Sequence, residues 1–375
     1  MRVAVIGCGA MGAATGWRLA ARGAEVVCFD RNSPPHDLGS SHGETRITRT
    51  AYLEAPFYVP LLRETFPLWR ELEALTGTAL LTLTGALMIG PRSSATVAGA
   101  MTAASAHDLQ VELLTAAELR KRYPGHLPGD DDVALFDPQA GFLRPEAAIA
   151  AMIQALERQG GEVRPGVTVT EVAARGEGID VTTSNGSEHF DAAVVATGAW
   201  MPELAAWLPL KVERQVLAWF SVQADAGWLS PEQFPVFIRE TRAPAEVYGF
   251  PTLDGKSIKI ARHHGGEPAD PNAPRREVTD ADLDPLRMFI TTYLRGVTRH
   301  VTRTAVCMYT NTPDGHFVID THPDDPRIVL ISACSGHGFK FAPVIGDITA
   351  DLVTEGTTAR DIAHFRAARF GKSSS

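Results

Sequence analysis

Val3-Ala4-Val5-Ile6-Gly7-Cys8-Gly9-Ala10-Met11-Gly12 stands at the start of the chain: four apolar residues, then glycines at 7, 9 and 12. A helical pattern runs on to Arg22 and stops at Gly23, a residue suited to a C-cap. A second apolar run, Glu25–Phe29, ends on Asp30. Strand, Gly-rich turn, helix and strand make a βαβ unit. Gly7 permits the tight turn, Gly9 lets the backbone approach a pyrophosphate, and Gly12 lets helix and strand pack closely. Ala10 and Met11 belong to the same cofactor loop, where the helix N-terminus offers unpaired N–H groups to phosphates. Asp30 ends the second strand, where a carboxylate can accept from ribose hydroxyls. A lone Gly-x-Gly-x-x-Gly is weak evidence; here every flanking part is present. The loop does not say which dinucleotide it holds.

Outward from this unit, further helices are predicted. Arg144 to Gln159 places Ile149, Met152, Ile153 and Leu156 at helical spacing, with Pro145 at the start and Gly160 past the end. Thr115 and Glu118 read as a capping box. Thr279–Leu294 and Ala342–Thr354 read as helices. Strand-like runs, Gln215–Val222, Val236–Glu240, Glu246–Phe250, Ser257–Ala261 and Thr304–Tyr309, cluster between about 211 and 312 without a βαβ rhythm, which predicts a mostly antiparallel sheet. Phe317–Asp320 and Arg327–Ser332 flank a turn. Ala192–Val195 is a buried strand that ends in Ala196-Thr197-Gly198. Nucleotide-type elements thus occur early, in the middle and late, so one domain is discontinuous and the other is inserted into it. No internal repeat is present.

With 375 residues, 45% hydrophobic and 21% charged, the chain has room for two domains. Its net charge of −9 and pI near 5.7 offer no basic surface for nucleic acid. Cys8, Cys28, Cys307 and Cys334 stand far apart without a Cys-x-x-Cys pair, so no metal site is expected. Cys8 and Cys28 read as small buried hydrophobes. The opening strand leaves no signal peptide, no stretch of about 18 apolar residues occurs, and a cytoplasmic, non-membrane protein is expected. A short polar tail, Ser373–Ser375, closes the chain.

After Arg31 comes Gly39-Ser40-Ser41-His42-Gly43-Glu44-Thr45-Arg46-Ile47-Thr48-Arg49. On its own this is equally a solvated helix start or a binding loop. Together with Gly249-Phe250-Pro251, Ile258-Lys259-Ile260 followed by His263, Cys307-Met308-Tyr309-Thr310 and Ser335-Gly336-His337-Gly338-Phe339-Lys340-Phe341, it resembles the monomeric sarcosine oxidase and N-methyltryptophan oxidase family of flavoproteins. The motifs recur in order along nearly the whole chain.

The resemblance implies an α/β fold with an α+β second domain: a Rossmann-type FAD-binding domain with an inserted, mostly antiparallel-sheet substrate domain. The FAD-binding domain is expected over 1–79, 142–210 and 313–375, the substrate domain over 80–141 and 211–312. FAD is the implied cofactor, joined covalently through Cys307. Gly7, Gly9, Ala10, Met11, Gly12, Asp30, Arg31, Ser40, His42, Thr45, Arg49, Thr197, Gly198, Gly336, Gly338 and Lys340 are the expected cofactor residues. Lys259 is implied to activate oxygen by its charge, although strand alternation between Ile258 and Ile260 would by itself send it to solvent. Arg46 and Lys340 are implied to grip a substrate carboxylate. Tyr248, His263 and Tyr309 are implied to line the substrate pocket. A lone histidine is more often structural, so His263 counts only through its neighbours.

Three positions depart from the pattern. Glu44 replaces the usual aspartate, Thr50 stands where a histidine often follows the second arginine, and Arg262-His263-His264-Gly265-Gly266 is nearer to the N-methyltryptophan enzyme. They leave the substrate open. The implied activity is oxidation of a secondary amino acid, N-methyl or cyclic, with O2 and water to an imine or aldehyde product and H2O2. The partners are that small amino acid and oxygen, and the chain is expected to be a monomer. The alternatives are a primary-amine (glycine or D-amino acid) oxidase, an amino acid dehydrogenase with another acceptor, an NAD enzyme, and a flavin-binding protein without catalysis.

Overall fold

A computed structural model describes residues 1–241 and 245–371; the tail Ser373–Ser375 lies outside them. The opening βαβ unit forms as expected. Strand β1 (Arg2–Ile6) runs parallel to β2 (Glu25–Asp30), with helix α1 (Ala10–Ala20) between them in sequence. Gly23 adopts φ +80 and its N–H donates to Ala20 O at 2.9 Å, which closes the helix end. A Cβ on Gly12 would sit 1.7 Å from Gly7 O, so only glycine lets the helix start this close to the strand.

The sheet has six strands in the order Val318–Thr321, Ile328–Ser332, Ala192–Val195, β1, β2, Glu162–Pro165. All neighbours are parallel except the pair Val318–Thr321 and Ile328–Ser332. Such a sheet is buried on both faces, which explains its unbroken apolar strands. On one face α1 packs against the helices Pro145–Arg158 and Ala342–Glu355; Trp17, Ala14 and Met152 are buried there. The other face is covered by a three-stranded meander, Val169–Arg175, Gly178–Thr183 and Gly186–Phe190, packed on Ala4, Ile6, Val27 and Phe29. The meander is not among the expected elements, because its strands carry many charged and exposed residues and little apolar alternation. Helix Val59–Thr76 was not expected either: Pro60 and Pro67 interrupt its pattern, yet Leu61, Leu62, Trp69 and Leu72 are buried on one face.

The second sheet has eight strands, ordered Val297–Asn311, Lys211–Val222, Ser257–His263, Glu246–Gly249, Val236–Glu240, Ala86–Pro91, Asp132–Asp137, Glu112–Thr115. It is antiparallel apart from the parallel contact between Val236–Glu240 and Ala86–Pro91. One face packs on the helix Asp280–Tyr293 through Leu283, Leu286, Phe289 and Ile290. The capping box of Thr115 and Glu118 is present, and Thr279 makes a second one with Asp282. A small sheet of Arg46–Thr48, Gly141–Leu143 and Leu81–Thr82 lies where the chain passes from the first large sheet to the second. Two domains result, a Rossmann-like one and an inserted, mostly antiparallel one. No helix among the described residues is long and apolar enough to cross a membrane.

Strand alternation fails at Lys259. The residue is 2% exposed, not solvated. Its strand lies inside the eight-stranded sheet: Ile258 and Ile260 face the helix Asp280–Tyr293, and the Gly43–Arg46 turn covers the opposite face.

Candidate active site

A cleft runs from the carboxyl ends of β1 and β2 to the antiparallel sheet and encloses about 1810 Å³ including its open mouth. It reaches from Gly7 and Asp30 to Tyr309 and Lys340, an extended path that suits a dinucleotide with a substrate beside it. Gly7, Gly9, Ala10, Met11, Asp30, Arg31, Thr197 and Gly198 line the nucleotide unit's side. Ser40, Arg46, Arg49, Tyr248, His263, Tyr309, Gly336, Gly338 and Lys340 line the rest. Gly12, His42, Thr45, Lys259 and Cys307 do not reach this surface and stand behind it.

The residues fit an FAD. Helix α1 is capped by Gly9 with no side-chain bond, and a Cβ on Gly9 would meet nothing within 4 Å, so the loop backbone faces open space. Asp30 Oδ2 accepts from Cys8 N at 2.8 Å and Oδ1 from Asn32 N at 2.8 Å, which fixes the carboxylate at the cleft. Buried polar atoms are nearly always paired. Yet Ser40 Oγ, Thr197 Oγ1, Ser332 Oγ and Arg49 Nε on the cleft, and His42 Nε2 and Thr45 Oγ1 behind it, are buried without a hydrogen bond among the described residues.

The Gly43–Arg46 turn is clamped from two sides. Glu146 accepts from Gly43 N at 2.6 Å and Glu44 N at 3.1 Å, while Lys259 Nζ donates to Gly43 O at 2.7 Å and Thr45 O at 2.6 Å. Burial, with Arg46 adding repulsion, pushes the Lys259 pKa well below its ordinary value; the two carbonyls oppose this by favouring the ammonium. Arg46 donates to Thr45 O at 2.9 Å, Ser40 O at 3.0 Å and Cys307 Sγ at 3.5 Å. Cys307 Sγ also lies 3.3 Å from Ser40 O, so the cysteine touches two residues that line the cleft. Burial and the Arg46 charge lower the His42 pKa to about 4, which leaves a neutral imidazole.

The cation that accompanies Lys340 is Arg49 rather than Arg46. Arg49 Cζ lies 4.4 Å from the Tyr52 ring centroid and Lys340 Nζ 5.1 Å. Arg49 Nη2 donates to both oxygens of Glu54 at 2.7 Å, and Lys340 Nζ donates to His337 O at 2.5 Å. Lys340 is 4% exposed, not an ordinary surface charge near a helix start. One 3-10 turn, Phe339–Phe341, separates the Gly-rich turn from helix Ala342–Glu355 and directs the ammonium inward.

The model of the FAD dependent oxidoreductase family matches residues 2–352. The chain belongs to this family. It is 41% identical over 369 residues to a monomeric sarcosine oxidase of Streptomyces avermitilis, with 97% of this chain and 96% of the relative covered. It is 36% identical over 368 residues to an N-methyl-L-tryptophan oxidase of Yersinia pestis, with 98% of each covered. Among solved structures it is similar to NikD, an unusual amino acid oxidase essential for nikkomycin biosynthesis, with a TM-score of 0.86, 26% identity, and 97% and 96% of the two chains covered. L-proline dehydrogenase from P. horikoshii shares the fold at a TM-score of 0.83 and 21% identity, covering 98% of each chain.

Within this FAD-dependent oxidoreductase, three aromatic side chains close the cleft. Tyr309 Oη lies 3.3 Å from His263 Nδ1, and Tyr248 meets the His263 ring edge-on at 6.3 Å between centroids. Burial, reinforced by His264, holds the His263 pKa well below its ordinary value, so the ring is neutral. Burial and Tyr248 raise the Tyr309 pKa, so the phenol keeps its proton. A Cβ on Gly336 would come within 2.5 Å of Tyr309 and 2.8 Å of His263, so this glycine is what lets the flavoprotein's last loop meet the wall.

Glu54, Tyr52 and Glu146 belong to the site and carry no motif that points to it, and His337 belongs to it too, inside the Ser335–Phe341 motif but with no role expected of it. His337 Nε2 faces Gly315 O at 2.9 Å, which can only accept, so Nδ1 accepts from Tyr52 Oη at 2.6 Å. Burial takes the His337 pKa to about 4 and the Lys340 pKa to about 7, the latter lowered further by Arg49 and raised by Glu54. Lys340 is therefore charged below pH 7 and loses its charge above it. Competitive inhibition by acetate is expected to weaken several-fold between pH 6 and pH 8. An inhibition constant that is flat over this range would remove Lys340 from anion binding.

Proposed function

We propose that this flavoenzyme oxidises the CH–NH bond of a secondary amino acid, N-methyl or cyclic, with O2 as acceptor. The observation that carries the reading is the pair of buried cations, Arg49 and Lys340, on one tyrosine ring, in a cleft walled by a neutral histidine and two protonated tyrosines. The cations hold the substrate carboxylate, with Arg49 giving the planar fork. Neutral His263 and Tyr309 orient the amine and exclude water. Neither His263 nor Tyr309 is anionic, so they favour the uncharged amine, and its lone pair stays available. Bound FAD supplies the chemistry, taking two electrons from the amine and passing them to O2 to give H2O2. Lys259 supplies positive charge on the far side of the Gly43–Arg46 turn, which favours electron transfer to oxygen.

The FAD-binding unit comprises 1–79, 142–210 and 313–375, with the substrate unit at 80–141 and 211–312. Arg31, His42, Thr45 and Arg46 serve the cofactor together with the Gly7–Gly12 loop. Cys307 is the attachment point; its contacts with Ser40 and Arg46 support this. After acid precipitation the yellow colour is expected to stay in the pellet, and Cys307→Ser is expected to release all of it to the supernatant. Colour in the wild-type supernatant would refute the bond. A panel of N-methyl and cyclic amino acids with peroxide detection tests the activity. Peroxide from glycine or D-amino acids alone would make it a primary-amine oxidase, and turnover without peroxide a dehydrogenase.

A further inference from the structure

The wall of the cleft carries a carboxylate that the reaction above does not use. Glu246 lies two residues before Tyr248 on the strand Glu246–Gly249, so both side chains leave the same face of the sheet, and both line the cleft with Ile238 and Glu54. One oxygen of Glu246, Oε1, accepts from Thr96 Oγ1 at 2.5 Å. The other makes no hydrogen bond among the described residues, and no cation there comes within ion-pair distance. The nearby Glu54 is different: both its oxygens are held by Arg49. Burial raises the Glu246 pKa, with Glu54 and Glu240 adding repulsion, against the lowering effect of the Thr96 hydrogen bond and of the Arg49 charge. Such a carboxylate gains more than a solvated one from a positive partner.

The charges of the cleft point to the partner. When the substrate carboxylate docks on Arg49 and Lys340, Glu54 must share Arg49 with it. Two carboxylates then share Arg49 with Glu246 beside them, Arg46 is engaged by Ser40 O, Thr45 O and Cys307, and the reacting amine is uncharged. One further positive group would balance the cleft. Among the described residues Arg49 acts on Glu246 only from beyond ion-pair distance and is already held by Glu54, so the substrate is the source of a close positive partner.

We propose that Glu246 selects an amino acid with a positively charged side chain, an N-methylated basic amino acid, by pairing with its distal cation. The proposal rests on the secondary-amine reading above. A purely structural role, as a partner of Thr96 at the start of helix Ala95–Ala106, needs an acceptor but no charge; the Thr96 N–H is already taken by Glu240 at 2.9 Å.

The test uses the holoenzyme and two substrates that differ only by the distal ammonium, Nα-methyl-L-lysine and Nα-methyl-L-norleucine. The wild-type kcat/KM ratio is expected to favour the lysine derivative by about tenfold or more, as for a site built around a polar substrate group. In Glu246→Gln, which keeps the acceptor for Thr96, the ratio is expected to fall by about tenfold. A wild-type ratio at or below one overturns the proposal whether or not the variant folds. So does a ratio unchanged in a variant that retains its flavin. If neither compound is oxidised while primary amino acids yield peroxide, the secondary-amine reading is what fails, and lysine against norleucine then gives the same ratio for Glu246.

Discussion

Arg49→Ala is expected to lower kcat/KM for the amino-acid substrate about a thousandfold, roughly 4 kcal/mol, while bound flavin is retained. The guanidinium is 3% exposed, so a substrate carboxylate would meet it with little water between them. Arg49→Lys is expected to recover only part of the loss, because an ammonium cannot offer the fork. Arg46→Ala should behave differently. Its guanidinium bonds to Ser40 O, Thr45 O and Cys307 Sγ, so its removal should loosen the loop and lower flavin content before it affects substrate affinity. Steady-state kinetics with flavin absorbance per protein separate the two. A large loss of kcat/KM in Arg46→Ala with full flavin, beside a mild one in Arg49→Ala, would return the carboxylate to Arg46.

Lys259→Met is expected to slow reoxidation of the reduced enzyme by O2 about 10²–10³-fold, the range seen when one charge-stabilising donor is removed. The reductive half-reaction is expected to change far less. The prediction has a structural rival, since Lys259 also pins the carbonyls of Gly43 and Thr45. Loss of that strut would disturb the turn that carries Arg46 and would affect both half-reactions and flavin retention together. Stopped-flow traces of the two half-reactions decide between them, and equal slowing would leave Lys259 as a strut only.

Local patterns carried much of the fold. The βαβ unit was legible because glycine spacing, strand and helix are all properties of neighbouring residues, and the ends of Ala192–Val195 and Val236–Glu240 agree with the expected runs. The meander at 169–190 was not legible, because its strands show solvent on one side and its packing partners lie far away in the chain. Helix Val59–Thr76 was hidden by prolines whose cost is offset by the burial of Trp69 and Leu72. Within the site, the motif residues could be found along the chain, but their partners could not: Lys259 meets residues 214 and 216 positions away.

The glycine loop at 7–12 needed only its neighbours, since steric access at Gly7, Gly9 and Gly12 follows from the absence of a side chain. Which arginine stands beside Lys340, whether Lys259 meets solvent, and what faces Glu246 were settled by tertiary packing. Burial and charge pairing depend on which distant segments cover a residue, and a pattern along one strand records only that the strand has two faces.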